Sequence, residues 1–274
     1  MTGPELPDAV HRLSALFIVA LGTGMIAVHT LLAAMAAQSP GSTRRPATMT
    51  AAVGAYLALW FGLAMTVGDG ANFPLAHESA RPLVTLLVGF GPMLVAVAAL
   101  FASKTLRQLN AGMPSQWLIW AQTYRAAGVM FLFPFMYYGL VPAGFAIPAA
   151  VGDVVTGALA PLVGLAVARQ RPNAIKWAIA WNLFGVLDLI VAPVSAVLSG
   201  AQVLGLYPLS LVPLFLGPPL GILTHVYSLR NLATHSSPIV AGTSQRSIDD
   251  DRGTEISGRS WQLLRFISAA LRMH

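Results

Sequence analysis

Long apolar runs alternate with short polar connections along the whole chain. Seven runs reach the roughly 20 mostly apolar residues that a membrane helix needs. They cover about Leu13 to Ala37, Thr48 to Val67, Leu83–Ser103, Trp117–Tyr138, Ala149–Ala168, Ile175–Gly200 and Leu209–Arg230. No alternation of period two recurs, which argues against a barrel. The pattern predicts an all-α fold, a polytopic membrane bundle of seven transmembrane helices occupying residues 1–231.

After Arg230 the pattern changes. Residues 232–258 are rich in Ser, Thr and Gly and carry the acidic run Asp249-Asp250-Asp251, which reads as a disordered cytoplasmic linker. Residues 259–274 turn apolar again but are too short to span. On a helical wheel Leu263, Leu264, Ile267, Ala270 and Leu271 share one face, and Gln262, Arg265 and Arg272 the other. This predicts a short amphipathic helix lying on anionic lipid of the inner leaflet.

Composition narrows the class. Of 274 residues, 26 are charged, or 9%, and the mean hydropathy is +0.69. A soluble domain carries about 25% charged residues, so a water-soluble enzyme is excluded. The absence of cysteine excludes disulfides, thiol nucleophiles and thiolate-held clusters. The net charge of +6 reads as an orientation signal rather than as a nucleic-acid surface. Connections 38–47 (Arg44, Arg45), 104–116 (Lys104, Arg107) and 169–176 (Arg169, Arg171, Lys176) are cationic. Those between them are neutral or, at 68–82, net −1 with Asp69 and Glu78 against Arg81, and the N-terminal segment has Glu5 and Asp8 against Arg12. The positive-inside rule then puts the N-terminus out and the C-terminus in. Ala34-Met35-Ala36 looks like a leader-cleavage site, but the apolar run before it is too long and Glu5 and Asp8 precede it, so the first run reads as a retained span.

Ionisable groups inside hydrocarbon are costly and mark candidate sites. Arg125 falls in the fourth run with Gln122 and Tyr124 beside it; Asp188 and Asn182 fall in the sixth, His29 in the first and His225 in the seventh. At about 1.5 Å per residue from the inner end, these groups share the inner half of the bundle. Arg125 needs an anion, and Asp188 is its nearest candidate by depth. Asp153 falls near the outer start of the fifth run, just after the turn Pro142–Pro148, and reads as an outer-face carboxylate that either caps that helix or forms a cation or proton entry site. Pro213, Gly217, Pro218 and Pro219 predict a kink or break in the outer half of the seventh run.

Three functional readings stay open. The polar cluster suits permease-like handling of a small-molecule, ion or proton ligand, which expects a cavity touching Arg125 and Asp188. A structural or accessory subunit would use an Arg125–Asp188 pair only to fix packing. A redox subunit would ligate haem b between His29 and His225. Retinal is excluded, since the only lysines are Lys104 and Lys176 in inner connections. With two intramembrane histidines a zinc hydrolase is not expected, and no GxxxxGK[ST] or GxSxG motif occurs.

Several motifs stand together: Gln122-x-Tyr124-Arg125-x-x-Gly128, Phe145-Ala146-x-Pro148, Gly152-Asp153-x-x-x-Gly157-x-x-Ala160-Pro161, Trp181-Asn182-x-x-Gly185-x-x-Asp188-Leu189 and Pro219-x5-His225-x-x-Ser228-Leu229. This set resembles an uncharacterised family of bacterial multi-spanning integral membrane proteins of about seven helices. The resemblance covers about 117–232. It implies a multi-pass protein of the bacterial inner membrane and one recurring constellation of Arg125, Asp153, Asn182, Asp188 and His225. It implies no reaction.

Overall fold

The structure, a computed structural model, describes residues 6–39, 45–68 and 81–236. The expected linker and surface helix at 237–274 lie outside the described residues. Among the described residues every regular element is helical. Helix α1 is Asp8–Ala37 and α2 is Pro46–Gly68. Helix α3 begins as Arg81–Val84, passes through a π-helical stretch at Thr85–Phe90 and continues as Gly91–Ala102. The short α4 is Lys104–Ala111. Helix α5 begins as Ser115–Trp120, tightens into a 3₁₀ helix over Ala121–Phe131 and ends in a π-helical turn at Leu132–Met136. Helices α6 and α7 are Ala143–Ala168 and Ala174–Ser199, and α8 is Pro218–Ser236, preceded by a π-helical turn at Val212–Leu216.

Five helical stretches are long and apolar enough to cross a membrane, or six if α3 and α4 are counted as one bent span. The predicted fourth run does not qualify as a single straight helix, because its regular α part is six residues long. Large apolar side chains point outward all along the bundle: Leu16, Leu59, Leu87, Leu162 and Leu198 are exposed. Water would penalise such a surface, whereas contact with a lipid bilayer suits it.

The ends follow from local chemistry. Ser103 adopts an extended conformation (φ −88°, ψ 121°) that stops α3, and its hydroxyl accepts from the Leu106 amide at 3.3 Å as the N-cap of α4. The chain turns by 91° there. Lys104 and Gln108 of α4 are exposed while Leu109 and Asn110 are buried, so the predicted cationic loop is a short amphipathic helix. At the other end of α7, Gly200 takes a left-handed conformation (φ 69°). The Ala201 amide bonds to Ala196 O at 2.9 Å and that of Gly200 to Val197 O at 3.3 Å, a Schellman stop.

The seventh run breaks where its prolines lie, as the pattern predicts. Pro218 and Pro219 carry no amide hydrogen, so the turn before them is left with carbonyls to satisfy. Side chains from other helices supply the donors. Trp60 Nε1 donates to Leu214 O at 3.1 Å and to Val88 O at 2.8 Å, and Tyr124 hydroxyl donates to Leu216 O at 2.6 Å. Farther along α8, Asn231 donates to Asn110 O at 2.6 Å and to Met113 O at 2.9 Å, and Ser115 donates to its amide oxygen. This network ties the connection between α4 and α5 to α8.

Candidate functional site

The 3₁₀ part of α5 sets the face that Arg125 presents. Three residues per turn put every third residue on one line, and Gln122, Arg125, Gly128 and Phe131 are all buried at that spacing. Gln122 Nε2 donates to Gly221 O at 3.0 Å, which fastens this stripe to α8. Arg125 then projects among α6, α7 and α8.

Its guanidinium makes four hydrogen bonds to three helices. Nε donates to Asp153 Oδ1 at 2.7 Å, and Nη2 donates to Asp188 Oδ2. Nη1 donates to Gly185 O at 3.2 Å and to His225 Nε2 at 3.1 Å. Arginine has donors only, so Nε2 of His225 accepts and the ring proton sits on Nδ1. That proton goes to Asn182 Oδ1 at 2.9 Å, and the Asn182 amide donates in turn to Ala178 O at 2.8 Å. Trp181 lies against the imidazole with ring centroids 5.2 Å apart, its indole held by Thr156 O at 3.1 Å. Arg125, Asn182 and His225 are buried, and the Asp153 side chain is 15% exposed.

Asp153 is not the outer-face cap that its sequence position suggested. Helix α6 starts at Ala143, ten residues earlier, so Asp153 lies almost three turns in. Pro148 is carried inside the helix rather than ending a turn before it, and the carboxylate belongs to the Arg125 cluster. His29 departs in the other direction. Its Nδ1 meets Met25 O at 2.8 Å and its Nε2 meets Thr224 Oγ1 at 3.0 Å, away from Arg125. Thr224 and His225 are neighbours on α8 but point about 100° apart, which separates two histidines that depth alone had grouped. Both nitrogens of both rings are engaged by protein groups, an arrangement that does not fit an axial pair for haem b. Among the described residues no three His, Asp or Glu side chains are placed to share a metal ion. Tyr124 and Gln122 serve the backbone of the broken seventh run and do not reach the carboxylates.

Two contributors stand in the sequence motifs without a role assigned to them. One is the Gly185 carbonyl, a ligand without a side chain. The other is a set of glycines that lets the charged groups meet. A Cβ on Gly152 would strike the Asp188 carboxylate, one on Gly128 the Asp153 side chain, and one on Gly185 the His225 ring, with Arg125 Nη1 3.1 Å away. The signal was present, since each glycine lies within four residues of a charged or polar member of the cluster, as small residues at helix contacts do.

Among the described residues, a small cavity and a larger one reach this cluster at Asp153. The small one, of about 50 Å³, touches Arg125, Tyr124 and Asp153. The larger, half-open one, of about 560 Å³, lies between α7, the π-helical stretches and the 201–204 segment, and has Asp153 in its wall. Asp188 lines neither. A third cavity of about 430 Å³, between α1, α2, α3, α4 and α8, has His29 and Thr224 in an otherwise mostly apolar lining.

Comparison with curated proteins and with solved structures returns no match to this chain. A family model matches residues 81–233, the stretch holding α3 to α8 and every member of the Arg125 cluster. The chain belongs to the family described as a domain of unknown function, DUF8737.

Proposed function

We propose that this is a seven-span protein of the bacterial inner membrane, N-terminus out, whose Arg125 cluster binds a proton in permease-like handling of a small solute. The charge count carries the reading. One guanidinium faces two carboxylates, Asp153 and Asp188, and the histidine beside them is an acceptor toward Arg125. With both carboxylates ionised the group carries one uncompensated negative charge in a buried site, which is costly. One proton brings it to zero. An anionic ligand fits less well, because the guanidinium is already taken by two carboxylates. Discontinuous helices around such a site, as at 212–218 here, are a feature of carriers.

Infrared spectroscopy of the purified protein tests this. The expected spectrum has the carbonyl stretch of one buried protonated carboxylic acid, which disappears in both Asp153→Asn and Asp188→Asn. Proteoliposomes loaded with a pH-sensitive dye should show proton movement with the wild type and none with either variant. A spectrum without a protonated carboxyl band across the accessible pH range would sink the reading. The engagement of four of the five N–H donors of Arg125 by protein groups favours a second reading, a purely structural lock. That reading expects Arg125→Met with Asp153→Leu and Asp188→Leu to fold and to leave any cellular phenotype intact.

A further inference from the structure

We infer that the 560 Å³ cavity beside Asp153 is a binding site for an organic ammonium cation with apolar substituents. The inference builds on the proton reading by naming the solute class. The cavity is lined by apolar side chains apart from Asp153 and Gln202. Three phenyl rings, Phe90, Phe131 and Phe145, share that lining, and Phe131 and Phe145 pack edge to face at 5.3 Å. Aromatic faces attract cations, and quaternary ammonium groups in particular, because the ring quadrupole presents negative charge to them. A carboxylate in an aromatic, largely apolar cavity therefore selects a ligand with one positive charge and a greasy body.

The charges around Asp153 fix the sign. From α5 it meets Arg125, with Tyr124 nearby; from α7 Asp188 and from α8 His225 complete the cluster. Ionised, this group is one charge short of neutral, so it has room for one monovalent cation. The site can then hold either a proton or the ammonium group, and entry of the organic cation releases the proton. No covalent step is involved. The small cavity touching Arg125 shares Asp153, Phe131, Val212 and Gly217 with the larger one, so Asp153 is the point where cavity and cluster meet.

Calorimetry on the detergent-solubilised full chain, with benzyltrimethylammonium as the probe, tests this. Saturable binding is expected, at least tenfold tighter than that of benzyl alcohol. Asp153→Asn should weaken it at least tenfold, and Phe131→Leu severalfold. Ala196→Phe, which fills the cavity wall about two helical turns beyond Asp188, should abolish it. Each variant is checked for a wild-type elution profile and melting transition, and Ala196→Phe decides the matter if Asp153→Asn fails to fold. Binding no tighter than that of benzyl alcohol, or binding indifferent to Ala196→Phe, overturns the inference. A pH indicator in weakly buffered solution separates this idea from the proton reading. Proton release on binding is expected. A protonated carboxyl band without cation binding removes only the ammonium site, whereas cation binding with neither band nor proton release removes only the proton reading.

Discussion

The two sides of the charged cluster are built differently. On one side stand α6 and α7, each an uninterrupted helix of 26 residues that supplies one carboxylate. On the other stand α5 and α8, which supply Arg125 and His225 from a 3₁₀ stretch and from a helix that starts just after a π-helical turn. Proline is present on both sides. Pro148, Pro161 and Pro193 are carried inside the straight helices, whereas Pro218 and Pro219 adjoin Gly217, whose backbone (φ −77°, ψ −116°) leaves the helical region. A single proline removes one backbone bond and a bundle absorbs it; two in succession after a glycine break the helix. The carboxylates thus sit on uninterrupted helices, Arg125 on a 3₁₀ stretch and His225 on a helix that begins at a break. Relative motion of the two sides would change the ion pairs first.

Removing the guanidinium tests that comparison with the largest expected effect. Arg125→Met leaves two carboxylates buried without their partner. Loss of one member of a buried pair costs about 3–5 kcal/mol, and here two pairs go at once. Denaturant unfolding in mixed micelles should show a loss at the upper end of that range. Adding Asp153→Asn and Asp188→Asn should restore most of it. A stable Arg125→Met protein would mean that the carboxylates take up protons or escape to water, and the two sides would not be held by charge.

The glycines on the straight side come next. Gly152→Ala would drive a methyl group into the Asp188 carboxylate, where overpacking costs about 1–3 kcal/mol. Gly62→Ala is the control, since nothing lies within 4 Å of a Cβ there. It should leave the melting temperature unchanged or raise it slightly, because alanine favours the helix. Equal effects at the two positions would show that close approach of α6 and α7 is not what assembles the cluster.

Apolar run length makes the long apolar helices legible in the sequence. It does not report winding. The 3₁₀ stretch at Ala121–Phe131 is written in residues no more unusual than those of the neighbouring helices, yet it decides which side chains join Arg125 on one face. The site was legible as a set: Arg125, Asp188, Asn182 and His225 meet as their depth suggested, and Asp153, named but set apart, joins them. Depth along a helix says nothing about direction around it, so His29 was grouped with groups it does not touch. The helix start mattered as much. Reading Pro148 as the end of a turn moved Asp153 to the rim, when α6 in fact begins at Ala143.

His29 provides the smallest test. Its bond to Thr224 crosses from α1 to α8 on the broken side, one residue from His225, but contains no formal charge partner. Interhelical hydrogen bonds of this kind average about 0.6 kcal/mol in membrane proteins, because the alternative partners available in the unfolded state compensate for their loss. A double-mutant cycle with His29→Phe and Thr224→Val should give a coupling of about that size. The same cycle between His29→Phe and His225→Phe should give a coupling near zero, since the two rings share no partner. A large coupling in the second cycle would mean that a shift of α8 transmits between its two faces. The α1 histidine would then belong with the charged cluster in energy although it lies outside it in space.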